Sequence, residues 1–257
     1  MNRKDAKKKD RQKAVRVIAL MPVILWLLFS CSETTVRQEV GNQVEKPAGK
    51  IQNSLSKTAL EQQLDSLGLL EIREHIPTIR IDLKYATADN FTGKILYRNL
   101  NRAYLHPFAL SKLVKAQALL KDQASQYSLL IYDAARPLQI QREMYEHVKN
   151  TPYRAYVAPP ERNSLHNYGM AVDITVCDAQ NMPLDMGTPF DYFGAKAGIN
   201  NEQAMLANGS LTLQQVNNRQ LLREVMQEAG FIPIRGEWWH FNACSLAEAG
   251  QIARLIE

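Results

Sequence analysis

Residues 170–176, MAVDITV, alternate with a period of two, and this constrains the fold more than any other feature of the chain. The alternation calls for a strand. Ala171 and Asp173 then share one face while Val172 and Ile174 share the other, so a carboxylate can look into a cleft while its neighbours anchor the strand. Just upstream, Gly169 lets the backbone turn, and His166 stands seven residues before Asp173. A histidine and a carboxylate brought together in this way can bind a divalent metal, orient one another, or form a satisfied polar pair.

Further elements are legible on either side. TALEQQLDSLGLL reads as a helix with Leu60, Leu64 and Leu67 on one stripe. TIRIDLKY alternates Ile79, Ile81, Leu83 and Tyr85 with Arg80, Asp82 and Lys84, and reads as a strand. A helix is expected over 107–121, then an apolar strand, SLLIYD. Pro137 is placed to open a further helix with Ile140, Met144 and Val148 on its buried side. A last helix over 212–229 stops at Gly230, suited to a left-handed cap. Helices and strands mix without repeated βα units, so the expected class is α+β, with one core in residues 57–257.

The amino-terminal segment sets the protein apart from an ordinary soluble domain. Eight Lys and Arg residues in 1–30 precede or flank the apolar run VIALMPVILWLLF, a length suited to a signal-peptide core and short for a membrane span. It ends in LFSC, which resembles the lipobox of bacterial lipoproteins, in which the cysteine is acylated. The expectation is therefore a signal peptide over 1–30, lipidation at Cys31, a polar tether over 31–56, and attachment to a membrane of the cell envelope. An uncleaved anchor and a secreted protein are the alternatives. Removing the leader changes 31 basic against 26 acidic residues to 23 against 24, so no nucleic-acid-binding surface is implied. With Cys31 lipidated, only Cys177 and Cys244 remain, too few for a disulfide framework.

Five histidines are present. His75, His106 and His147 sit where surface or capping roles are ordinary, whereas His166 and His240 have acidic company in Asp173 and Glu237. A hydrolytic zinc site needs three protein ligands, an open position and a nearby base. His166, Asp173 and His240 can supply the ligands and Glu237 the base. Glu237 and His240 fit neither a strand face nor an i, i+4 helical pair, so a bulge or loop is needed to converge them. Spacing alone leaves a second reading open, a hydrogen-bonded core pair of His166 and Asp173 with Trp238 and Trp239 as packing.

SLHNYGMAVD and GEWWHF resemble the S-x-H-x-x-G-x-A-x-D and E-x-W-H elements of zinc D-alanyl-D-alanine dipeptidases, the family of the vancomycin-resistance dipeptidase. DLKYATADNFTGK, YDAARP, YVAPP and MGTPFDYF match further elements in family order. The resemblance implies a small α+β zinc-peptidase domain around a central antiparallel sheet flanked by helices. It also implies zinc on His166, Asp173 and His240, Glu237 as base, and Arg136 facing the scissile carbonyl. Asp191 would receive the substrate ammonium and Ser164 would line the dipeptide pocket. Tyr168 departs from the arginine that many members carry there.

The implied activity is zinc-dependent hydrolysis of D-Ala-D-Ala or a similar D,D-dipeptide in cell-wall turnover. The alternatives are a D,D- or L,D-carboxypeptidase that trims peptidoglycan stems, and a non-catalytic zinc- or muropeptide-binding lipoprotein.

Overall fold

The computed structural model describes residues 56–257; the leader, Cys31 and nearly all of the expected tether lie outside the described residues. In chain order the elements are α1 (Ala59–Ser66), β1 (Leu70–Glu71), α2 (Ile72–His75), β2 (Arg80–Ile81), β3 (Tyr104–Leu105), α3 (Pro107–Gln123) and β4 (Ser128–Asp133). They continue as α4 (Leu138–Val148), β5 (Ala171–Cys177), α5 (Glu202–Ala207), α6 (Leu213–Glu228), β6 (Ile232–Ile234), β7 (Glu237–Asn242) and α7 (Leu246–Ile252). Five strands form one sheet in the order β2-β4-β5-β7-β6, and β1 pairs with β3 in a small separate sheet. The class is α+β. All pairings in the main sheet are antiparallel except the edge pair β2–β4, which is parallel.

Every residue of β5, the central strand, is buried, so the sheet is covered on both faces there. Helices α3 and α6 pack on each other and against the sheet, α3 through Leu110, Leu113 and Leu120, α6 through Leu222, Val225 and Met226. Each such side chain contributes about 1.5–3 kcal/mol by leaving water. Thr58 and Thr212 cap α1 and α6 with capping boxes closed by Glu61 and Gln215. Gly230 follows α6 at φ +95°, the left-handed geometry its position suggests.

TIRIDLKY departs from expectation. Its strand lasts only for Arg80–Ile81, and a 3₁₀ turn over Lys84–Ala86 replaces the rest. Ile79, Leu83 and Tyr85 are nonetheless buried, so the alternation reports which side chains face the core and not how far the ladder runs. In α4, Gln141 takes a buried place while Ile140 is half-buried. Cys177 and Cys244 are buried free thiols. Among the described residues, no helix is long and apolar enough to cross a membrane.

Candidate active site

Pairing across three strands sets one side of the site. Asp173 on β5 pairs with Asp133 on β4 and with His240 on β7, so these three residues lie side by side. The register shifts between Ile131 and Asp133, and shifts again between β6 and β7, where Pro233 pairs with Phe241 but Ile234 with Glu237. The second irregularity lets Glu237, Trp239 and His240 line one cavity, which strict alternation forbids.

His166 arrives from a 3₁₀ turn, Leu165–Tyr168, opened by Ser164, whose hydroxyl accepts from the His166 amide at 3.3 Å. Asn167 closes the capping box and donates to the Arg136 carbonyl at 2.9 Å. Gly169 ends the turn at φ +63°. A Cβ there would lie 2.5 Å from Leu69 Cδ2 and 2.9 Å from the His106 nitrogen. Both conformation and space therefore require glycine.

Three atoms then converge. His166 Nε2 is 3.3 Å from His240 Nδ1 and 3.4 Å from Asp173 Oδ1, and His240 Nδ1 is 3.0 Å from Asp173 Oδ1. The outer ring nitrogens are engaged: His166 Nδ1 donates to the Ala134 carbonyl at 2.7 Å, and His240 Nε2 to Asn242 Oδ1 at 2.7 Å. That fixes both tautomers and aims two lone pairs and a carboxylate at one point. Bonds of about 2.0–2.1 Å at tetrahedral angles place ligand atoms about 3.3–3.4 Å apart, so the set fits a tetrahedral metal ion. Burial opposes ionisation of Asp173, but the adjacent His166 and His240 outweigh it and hold the carboxyl far below its usual range.

Around this point lies a cavity of about 300 Å³ lined by Arg136, Ser164, Asp191 and Glu237 as well as the three ligand candidates. The Glu237 carboxyl makes no hydrogen bond among the described residues, and burial pushes it up to about 7. Arg136 is buried and donates from Nε and Nη2 to Asp133, and from Nη1 to Gln141 at 2.7 Å. Three of its five N–H groups are thus used, and Nη2 also lies 3.5 Å from Asp173 Oδ2. Asp191 sits at φ +58° and accepts from Tyr85 Oη at 3.1 Å and from the Phe91 amide at 3.4 Å. Burial, and then the charge of Asp173, push its carboxyl up to about 8.

The sequence reading named Arg136 but not what holds it. Asp133 is fully buried, accepts from Tyr97 Oη at 2.5 Å and lies 3.6 Å from His166 Nδ1. It therefore lies between Arg136 and His166. YDAARP contains this aspartate, but nothing local marks it. Arg219 is the other omission: buried on α6, it donates to the carbonyls of Met186 at 2.6 Å and Lys196 at 3.0 Å, holding both ends of the loop that carries Asp191. Tyr168 does not line the cavity; its hydroxyl accepts from Asn163 at 3.3 Å. Of the other histidines, His106 caps α3, and His75 and His147 are exposed.

A family model described as D-ala-D-ala dipeptidase, peptidase M15, matches residues 65–255. Among curated proteins, the D-alanyl-D-alanine dipeptidase of Escherichia coli (strain K12) is 36% identical over 178 residues, covering 69% of this chain and 86% of that protein. The D-alanyl-D-alanine dipeptidase of Enterococcus faecium is 29% identical over 195 residues, covering 68% of this chain and 91% of its own length. That of Synechocystis sp. is 28% identical over 176 residues, covering 57% and 71%. The chain therefore belongs to the D-ala-D-ala dipeptidase family of peptidases, peptidase M15.

Proposed function

We propose that the protein is a zinc dipeptidase that hydrolyses D-Ala-D-Ala or a similar D,D-dipeptide in cell-wall turnover, held in the cell envelope by a lipid on Cys31. One observation carries the reading: a cavity of about 300 Å³ places the three converging ligand atoms, the Glu237 carboxyl and the carboxylate of Asp191 around one space. The relatives named as D-alanyl-D-alanine dipeptidases support the substrate class.

His166, Asp173 and His240 would hold the metal. Zinc bound there supplies Lewis acidity toward a carbonyl and lowers the pKa of a water toward ~7. Glu237 takes the proton of the attacking water at its carboxylate and returns it to the departing amine. A carboxyl raised to about 7 suits both transfers at neutral pH. Arg136, fixed by Asp133 and Gln141 and lining the cavity, offers its positive charge to the oxygen that becomes negative as the carbonyl is attacked. Asp191 receives the substrate ammonium one residue from the scissile bond, and its pairing favours substrates with a free amino terminus there. Ser164 lines the same cavity, while its hydroxyl braces the turn that carries His166.

Incubating the zinc-loaded protein with D-Ala-D-Ala and with a muramyl pentapeptide tests the reading. Release of free D-alanine mainly from the dipeptide is expected; preferential trimming of the pentapeptide would transfer the assignment to a carboxypeptidase.

A further inference from the structure

Tyr156 and Phe193 stack face to face, with ring centroids 4.9 Å apart and planes 14° from parallel, and both rings line the active-site cavity. Phe193 also meets Phe91, with centroids 5.0 Å apart, and Tyr153 at 5.5 Å. Tyr156 ends a 3₁₀ segment, Pro152–Tyr156, that contains no buried residue.

Behind Tyr156 is a second hollow of about 260 Å³, whose walls include Gly194, Gly198, Asn201, Arg235 and Gly236. Tyr156 is the residue that lines both spaces. The walls are otherwise continuous along the chain: Phe193 passes to Gly194, Ile234 to Arg235, and Gly236 to Glu237. Three glycines leave little side-chain relief, so a peptide backbone can approach closely, and Asn201 and Arg235 offer hydrogen-bonding groups. Gly194 in its wall lies three residues after Asp191, so the proposed pairing of Asp191 with the substrate ammonium would put the hollow at the amino-terminal end of the substrate.

We infer that the Tyr156–Phe193 stack partitions a longer peptide-binding cleft and is the element that restricts the enzyme to dipeptides, the second hollow being a blocked subsite for one further amino-terminal residue. The inference rests on the proposed dipeptidase activity. The aromatic wall excludes the extra residue sterically, and Asp191 selects the ammonium that remains.

The test uses the full-length protein, zinc-loaded in detergent, with D-Ala-D-Ala and glycyl-D-Ala-D-Ala, measuring release of D-alanine from each. Tyr156→Ala and Phe193→Ala are expected to raise kcat/KM for the tripeptide relative to the dipeptide by roughly tenfold or more, the scale on which pocket walls discriminate. Tyr156→Phe keeps the ring and should keep the wild-type ratio. An unchanged ratio in both alanine variants, with dipeptide cleavage retained, would overturn the inference alone. Failure of the wild type to cut D-Ala-D-Ala would instead remove the activity on which it stands.

Discussion

His166 Nε2 and His240 Nδ1 face each other across 3.3 Å, although each ring already donates from its other nitrogen. Both nitrogens, with Asp173 Oδ1, are placed to share one cation. One zinc per chain is expected by atomic spectroscopy, and His166→Ala or His240→Ala should lose it. Asn242→Ala frees the His240 tautomer and should weaken zinc binding roughly tenfold to a hundredfold. Stoichiometric zinc in a His166→Ala, His240→Ala double variant would rule out the site.

Glu237 is assigned as a base and not as a ligand. Glu237→Gln should retain zinc while kcat falls roughly a hundredfold to ten-thousandfold. Near-normal turnover by a zinc-loaded variant would remove Glu237 from the chemistry.

Burial raises two cavity carboxyls, Glu237 to about 7 and Asp191 to about 8, whereas both titrate near ~4 in an unfolded chain. The folded state thus binds more protons between those values. Their contribution to stability is full below the unfolded pKa and is lost as the pH rises through the folded pKa. In chelator, the Tm of the wild type minus that of a Glu237→Gln, Asp191→Asn variant should fall between about pH 5 and about pH 9. A difference independent of pH would contradict the raised values.

Arg219 supplies donors to two carbonyls at opposite ends of the Asp191 loop. Arg219→Ala leaves those groups unpaired and should lower stability by at least about 2 kcal/mol in denaturant unfolding. Because the loop bears Asp191, the proposed receptor of the substrate ammonium, KM for the dipeptide should rise more than kcat falls. An equal loss in both substrates of the Asp191 test below would point to general unfolding instead.

The leader's basic start, apolar run and LFSC lead to a separate expectation. Metabolic labelling with a palmitate analogue should mark the wild type, and Cys31→Ala should lose the mark. Recovery of an unlabelled wild type from the cytosol would contradict export.

The legible parts of the fold were those written locally. Alternation marks β5, and Gly169 marks the turn before it, because both are properties of a few consecutive residues. The same rule overextends β2, since Leu83 and Tyr85 meet the core from a 3₁₀ turn without a ladder partner. A bulge was required to bring Glu237 and His240 together, and the β6–β7 register contains one, but Pro233 hid β6 itself. Asp133, Tyr97, Gln141 and Arg219 act through contacts that only the folded chain creates. Asp133 meets Tyr97 across 36 positions and Arg219 meets Met186 across 33, and no periodicity reports such pairs.

The most direct measurement compares D-Ala-D-Ala with N-acetyl-D-Ala-D-Ala for the wild type and Asp191→Ala. The blocked compound lacks the ammonium that Asp191 would pair with. It should be hydrolysed at least roughly a hundredfold less efficiently by the wild type, the scale of losing a buried hydrogen-bonded charge. Asp191→Ala should lower dipeptide turnover and narrow that gap. Equal hydrolysis of both compounds by the wild type would contradict the dipeptidase assignment.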